Sequence, residues 1–142
     1  MKKIIYTLIA LAASVLLFSC RSTPEISNDL TSAQLIQLGQ NAYSASDYKN
    51  AELYYKTVIQ RFGMDTAVYI EAKYELGHLY VTRKNYEKAY EAFSEILELY
   101  EYAAAGDLPS AYKKLAAIGM KKIPEQKLAE FMNNSEQESK EE

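Results

Sequence analysis

One interval governs this chain. Leu38-Gly39 returns as Leu76-Gly77, 38 residues later (77 − 39 = 38). Twelve residues past each glycine stands an alanine, Ala51 and Ala89. Four further on comes an aromatic, Tyr55 and Phe93, and then a branched aliphatic, Val58 and Ile96. Tyr48 and Tyr86 match at the same step, each directly after a polar helix starter, Asp47 or Asn85. An interval of this length holds two helices and their turns. The apolar spacing inside each half is helical. Leu35, Leu38 and Ala42 share one face, as do Ala51, Tyr55, Val58 and Phe62; Tyr69, Ala72, Leu76 and Tyr80 form a third stripe, and Ala89, Phe93, Ile96, Leu97 and Tyr100 a fourth. The small residues at 39/51 and 77/89 are placed where two antiparallel helices approach, and the large ones beside them fill the groove.

The pattern predicts helices over 31–45, 47–62, 66–83 and 86–102, with Thr31 and Gln34 as a capping box at the first start. A fifth helix is expected over 109–121, with Tyr112, Leu115, Ala116 and Met120 inward, and a short one from Pro124 to Phe131. Residues 133–142 are polar and acidic and are expected to be disordered. The glycine, alanine and aromatic positions resemble the tetratricopeptide repeat. That resemblance implies an all-α fold of about two and a half helical hairpins in a short right-handed solenoid, over 31–132, the fifth helix acting as a cap. Two positions depart from the family. Lys73 stands where an aromatic or leucine is usual, which weakens packing between neighbouring repeats. Gly63 and Glu101 replace the closing proline.

The amino terminus reads as an address. Met1-Lys2-Lys3 is a positive start, and Ile4 to Phe18 is an apolar run interrupted by Thr7 and Ser14. About 20 apolar residues are needed to cross a bilayer, so this run suits a signal peptide, residues 1–19, better than a permanent span. It ends in Leu17-Phe18-Ser19-Cys20, which resembles the lipobox of bacterial lipoproteins. The resemblance implies that Cys20 is a lipid attachment point, acylated after cleavage, with palmitate-like chains holding the protein in a membrane. Arg21 stands where an inner-membrane retention signal would have aspartate, which implies the outer membrane, facing the periplasm. Residues 20–30 then serve as the acylated cysteine and a tether.

Composition narrows the remaining possibilities. The chain has 16 Lys+Arg and 19 Asp+Glu; without Lys2 and Lys3 the balance is 14 to 19, a net of −5, which excludes an electrostatic footprint for nucleic acid. One cysteine and one histidine exclude a disulfide framework and a structural zinc site, so no metal or cofactor is expected. There is no phosphate-cradling glycine loop, no metal-spaced histidine pair and no Gly-x-Ser-x-Gly, and the chain is not expected to be an enzyme. Glu87, Glu91, Glu95 and Glu98 read as one solvated stripe. Lys113, Lys114, Lys121 and Lys122 give the fifth helix a basic face.

Carried over position by position, the tetratricopeptide resemblance implies a partner-binding groove lined by Ile36, Gln40 and Tyr43, then Tyr74, His78 and Val81, then Lys113 and Ala117. Tyrosine suits such a surface, because its ring buries area at small entropic cost. The 38-residue period and the linker Gln60-Arg-Phe-Gly-Met-Asp-Thr-Ala resemble the BamD family of outer-membrane protein assembly lipoproteins. The implied function is a membrane-anchored protein–protein scaffold whose partner is a component of the β-barrel assembly machine. Docking of a periplasmic solute-binding protein or a hydrophobic ligand, and coordination of cell-wall synthesis or division, are the alternatives.

Overall fold

A computed structural model of the protein describes residues 24–104 and 106–141. The proposed signal peptide and Cys20 lie outside the described residues. Among the described residues there are six helices and no strands: α1 Ser32–Ser44, α2 Tyr48–Phe62, α3 Thr66–Thr82, α4 Tyr86–Tyr102, α5 Ser110–Met120 and α6 Glu125–Glu141. The fold is all-α, built from antiparallel helical hairpins α1/α2 and α3/α4 packed side by side. No helix among the described residues is long and apolar enough to cross a membrane.

The helix starts follow from local chemistry. Thr31 and Gln34 form the expected capping box: the Gln34 N–H donates to Thr31 Oγ1 (3.2 Å) and the Thr31 N–H donates to Gln34 Oε1 (2.9 Å). Asp65 Oδ1 accepts from the Ala67 and Val68 amides at the start of α3. The turns inside the two hairpins repeat as closely as the sequence does. Ser46 and Lys84, 38 residues apart, both take the left-handed conformation (φ 57°). Asp47 N–H reaches Ala42 O (2.8 Å) and Asn85 N–H reaches Tyr80 O (2.9 Å), again one interval apart.

The glycines set how closely the hairpins close. A Cβ on Gly39 would stand 2.4 Å from Tyr55 Cε1, and one on Gly77 would stand 2.5 Å from Phe93 Cε1. Ala51 and Ala89 are fully buried at the same crossings. The rings they admit, Tyr55 and Phe93, are the largest buried side chains, and full burial of one such ring contributes about 1.5–3 kcal/mol. Phe93 is shared: a Cβ added to Gly119 of α5 would stand 2.3 Å from its Cζ. The ring therefore binds the second hairpin to α5. Tyr80, expected in the core, is buried there; Tyr100 is half-buried and its hydroxyl donates to the Pro109 carbonyl.

Two features differ from expectation. Residues 26–30, expected to be tether, dock on the first hairpin. Ile26 and Leu30 pack against the cluster of Leu35, Ile36, Val58 and Ala72, and the Arg61 guanidinium donates to Ser27 O (2.8 Å) and Ile26 O (3.3 Å). Residues 133–141, expected to be disordered, continue α6. Glutamate, glutamine and lysine are good helix formers, Lys127 pairs with Glu130 (2.7 Å), and Tyr90 and Ser135 hydroxyls meet at 3.2 Å. Helix α6 lies against α4, where Phe131 meets Tyr90 with ring centroids 5.8 Å apart. Lys73 forms an ion pair with Glu95 of α4, inside its own hairpin, and lies 5.3 Å from the Tyr69 ring centroid.

Candidate functional site

One face of each of helices α1, α3 and α5 carries rings. These join into a continuous row. Tyr48, the first residue of α2, meets Tyr43 edge-on (centroids 5.6 Å apart), and Tyr43 meets His78 of α3 at 5.2 Å. His78 stacks on Tyr74 one turn earlier (6.3 Å, interplanar 9°), and Tyr74 meets Tyr112 of α5 edge-on at 5.6 Å. Beneath Tyr74 lies Phe93, at 6.3 Å, so the row rests on the buried core. Tyr43, Tyr48, Tyr74, His78 and Tyr112 are all half-buried, with part of each side chain open to solvent.

Hydrogen bonds brace the row between helices. The Tyr43 and Thr82 hydroxyls meet at 2.7 Å, joining α1 to α3. Gln40 Nε2 donates to Glu75 Oε1 (2.8 Å), and the Tyr55 hydroxyl donates to Glu75 Oε2 (3.4 Å). Burial, then Glu71 and Glu75, push the Tyr112 phenol up to about 12. Burial and Glu75 also raise Tyr74. His78 is held below its ordinary value by burial first and Lys122 second, with Glu75 opposing, so its imidazole is neutral at neutral pH.

Of the residues predicted to line the groove, Gln40, Tyr43, Tyr74 and His78 come together here. Val81 is half-buried and packs against the main core at the end of α3. Ile36 does not line a groove: it is 5% exposed and packs with Leu35, Val58 and Ala72. An aliphatic side chain at that face gains more from the adjoining hairpin than from water. Lys113 is also elsewhere. Its side chain is exposed beside Tyr100, Ala103 and Leu108, over the turn from α4 to α5. The residue that takes the expected place is Tyr112, which stands 38 residues after Tyr74; the strict interval would have found it. Tyr48 was visible as a repeated position but not as part of the row.

On the opposite side, a cleft of about 650 Å³ opens between α2, α3 and α4, lined among others by Lys56, Lys73, Tyr80, Lys88, Glu91 and Glu95. Within it Lys73 pairs with Glu95, Lys56 pairs with the neighbouring Glu52 (2.7 Å), and Lys88 lies 5.7 Å from the Tyr80 ring centroid. Among the described residues, no cluster of His, Cys, Asp or Glu is arranged to hold a metal ion.

A protein of Treponema pallidum (strain Nichols), described only as uncharacterized, is 35% identical over 117 residues, which cover 80% of this chain and 47% of the relative. The chain thus spans about half the length of the curated relative it matches. No protein-family model and no solved structure matches the chain.

Proposed function

We propose that this chain is a membrane-anchored docking protein of tetratricopeptide type, which holds another protein against the aromatic row of α1, α3 and α5. The observation that carries the reading is the row itself. Five half-buried rings from four helices meet in one row, two contacts edge-on, one tilted and one stacked, which gives a partner a pre-ordered surface with little rotamer entropy left to lose. Hot spots of protein interfaces are enriched in such rings. The repeated crossings Gly39/Tyr55 and Gly77/Phe93 support the repeat type, because they build two equivalent hairpins at one interval.

The anchor in this reading is Cys20, at the edge of the apolar run. Arg61 holds the backbone at Ile26, so the free chain between the lipid and the folded body reaches at most about 20 Å. A short leash of this kind suits a partner that is itself at the membrane. The specific role we propose is therefore an accessory of outer-membrane protein assembly in the periplasm, acting without chemistry of its own. Docking of a soluble solute-binding protein is the competing role.

Crosslinking the anchored protein and identifying its partner tests both. A β-barrel inserter supports the assembly role; a solute-binding protein or a cell-wall synthase overturns it. Cys20→Ser should release the protein from the detergent phase, and unchanged retention would refute the lipid anchor. Tyr43→Ala and Tyr74→Ala should each weaken partner capture with helix content intact.

A further inference from the structure

Two carboxylates beside the aromatic row form no ion pair among the described residues. Glu71 and Glu75 sit one turn apart on α3, both half-buried, on the side of the row formed by Tyr74 and Tyr112. Glu75 accepts hydrogen bonds from Gln40 and Tyr55, and the charge of Glu71 acts on the Tyr112 phenol. Both donors are neutral. Among the described residues no lysine or arginine forms an ion pair with either carboxylate. Lys122 acts on His78, further along the row. A carboxylate offers about four lone-pair positions, so both groups retain acceptor capacity after their existing bonds. In the opposite cleft Lys73 pairs with Glu95, and Lys88 lies against the Tyr80 ring.

We infer that the Tyr74–Tyr112 portion of the row, with Glu71 and Glu75, receives arginine side chains from an extended segment of the partner protein. Guanidinium is the cation that this surface suits. It is planar, stacks on a tyrosine face, and its forked donors match a carboxylate. The same segment would meet Lys122 at the His78 end, where its own acidic or carbonyl groups would be favoured. The inference rests on the docking reading above and adds the chemistry of the partner.

The single histidine makes a direct assay possible, because His78 stands in the middle of the row and gives one resolvable imidazole signal. The full chain in detergent micelles is titrated with a glycine–serine peptide carrying arginine at alternate positions, and with the same peptide carrying citrulline, a neutral isostere. The arginine peptide should shift the His78 signal saturably and bind about five- to tenfold more tightly than the citrulline peptide. Glu71→Gln with Glu75→Gln should remove that preference while helix content is unchanged. Equal binding of the two peptides, or a preference that survives the double substitution, would overturn the inference. So would free arginine amide binding as tightly as the peptide, since that would mean a small-cation site. Because the peptide comparison is made on the unsubstituted chain, it remains decisive if the double variant misfolds. If a natural partner is lost on Tyr74→Ala but held equally by the Glu71→Gln/Glu75→Gln chain, docking at the row stands and the arginine inference fails. If partner crosslinks map away from the row, both fail.

Discussion

Gly77 offers the sharpest test of how the hairpins are held. Replacing it with alanine should be favourable on helix propensity alone, by about 1 kcal/mol. The packing says otherwise. The new Cβ would stand 2.5 Å from Phe93 Cε1, 2.8 Å from Cζ and 2.9 Å from Cδ1. Carbon atoms prefer roughly 3.5–4.0 Å, so ring or helix must shift by about 1 Å. The ring has little room to move. It is 1% exposed, and Gly119 of α5 also abuts it, where an added Cβ would lie 2.3 Å from Cζ. Overpacking of this kind costs about 1–3 kcal/mol, and a fully buried ring held between two helices belongs at the upper end. Subtracting the propensity gain leaves a net loss of about 2 kcal/mol. For a body of this size that lowers the midpoint of thermal unfolding by roughly 6–10 °C. The assay is thermal denaturation followed by circular dichroism, with Phe93→Leu added in a double-mutant cycle. The smaller side chain should relieve the clash and give a favourable coupling of at least about 1 kcal/mol. A Gly77→Ala protein as stable as the parent, or more stable, would refute the close-crossing account. So would a cycle with no coupling.

Other outcomes follow from the same structure. Lys84→Gly should stabilise by about 0.5–1 kcal/mol, because Lys84 is held at φ 57°, where glycine has no Cβ penalty; denaturant midpoints measure this, and a loss of stability would mean that the lysine side chain matters more than its backbone. Arg61→Ala should free residues 26–30, which hydrogen exchange of that segment would show as roughly tenfold faster exchange with α3 and α4 unchanged. The Tyr112 phenol should titrate near 12 rather than 10. Its raised value means that the folded state holds the proton more tightly, so its contribution to stability is complete below pH 10 and is lost as pH rises towards 12. Glu71→Gln should bring that titration down, and ring-carbon NMR across the alkaline range is the check.

Much of the fold was readable because its determinants are short-range and repeated. The Gly39/Ala51 and Gly77/Ala89 spacings predict the two hairpins, and the helix limits agree within about two residues. What the pattern did not reach depends on contacts far apart in the chain. Arg61 meets Ser27 across two helices, and no local signal in the polar stretch before Thr31 announces that docking. The site was half legible. The tetratricopeptide resemblance, which implies a groove along the first helix of each pair, puts Tyr43, Tyr74 and His78 on one surface. Lys113 was placed one residue out of step because the turn around Gly106-Asp107-Leu108-Pro109 obscures the start of α5, whereas the 38-residue interval points to Tyr112. Ile36 shares its repeat position with Tyr74 and Tyr112, yet an aliphatic side chain there is drawn into the core. Glu71 and Glu75 carried no signal at all in the sequence, since an unpaired carboxylate is recognised only once its surroundings are known.

The central claim is that the ring-bearing face of α1, α3 and α5 is where a partner sits. A photoreactive amino acid placed at position 74 in living cells tests it directly, with one at Glu91 on the opposite cleft as the reference. The account predicts a discrete crosslinked partner from position 74 and little from position 91; the same adducts from both positions, or adducts from position 91 alone, would contradict it.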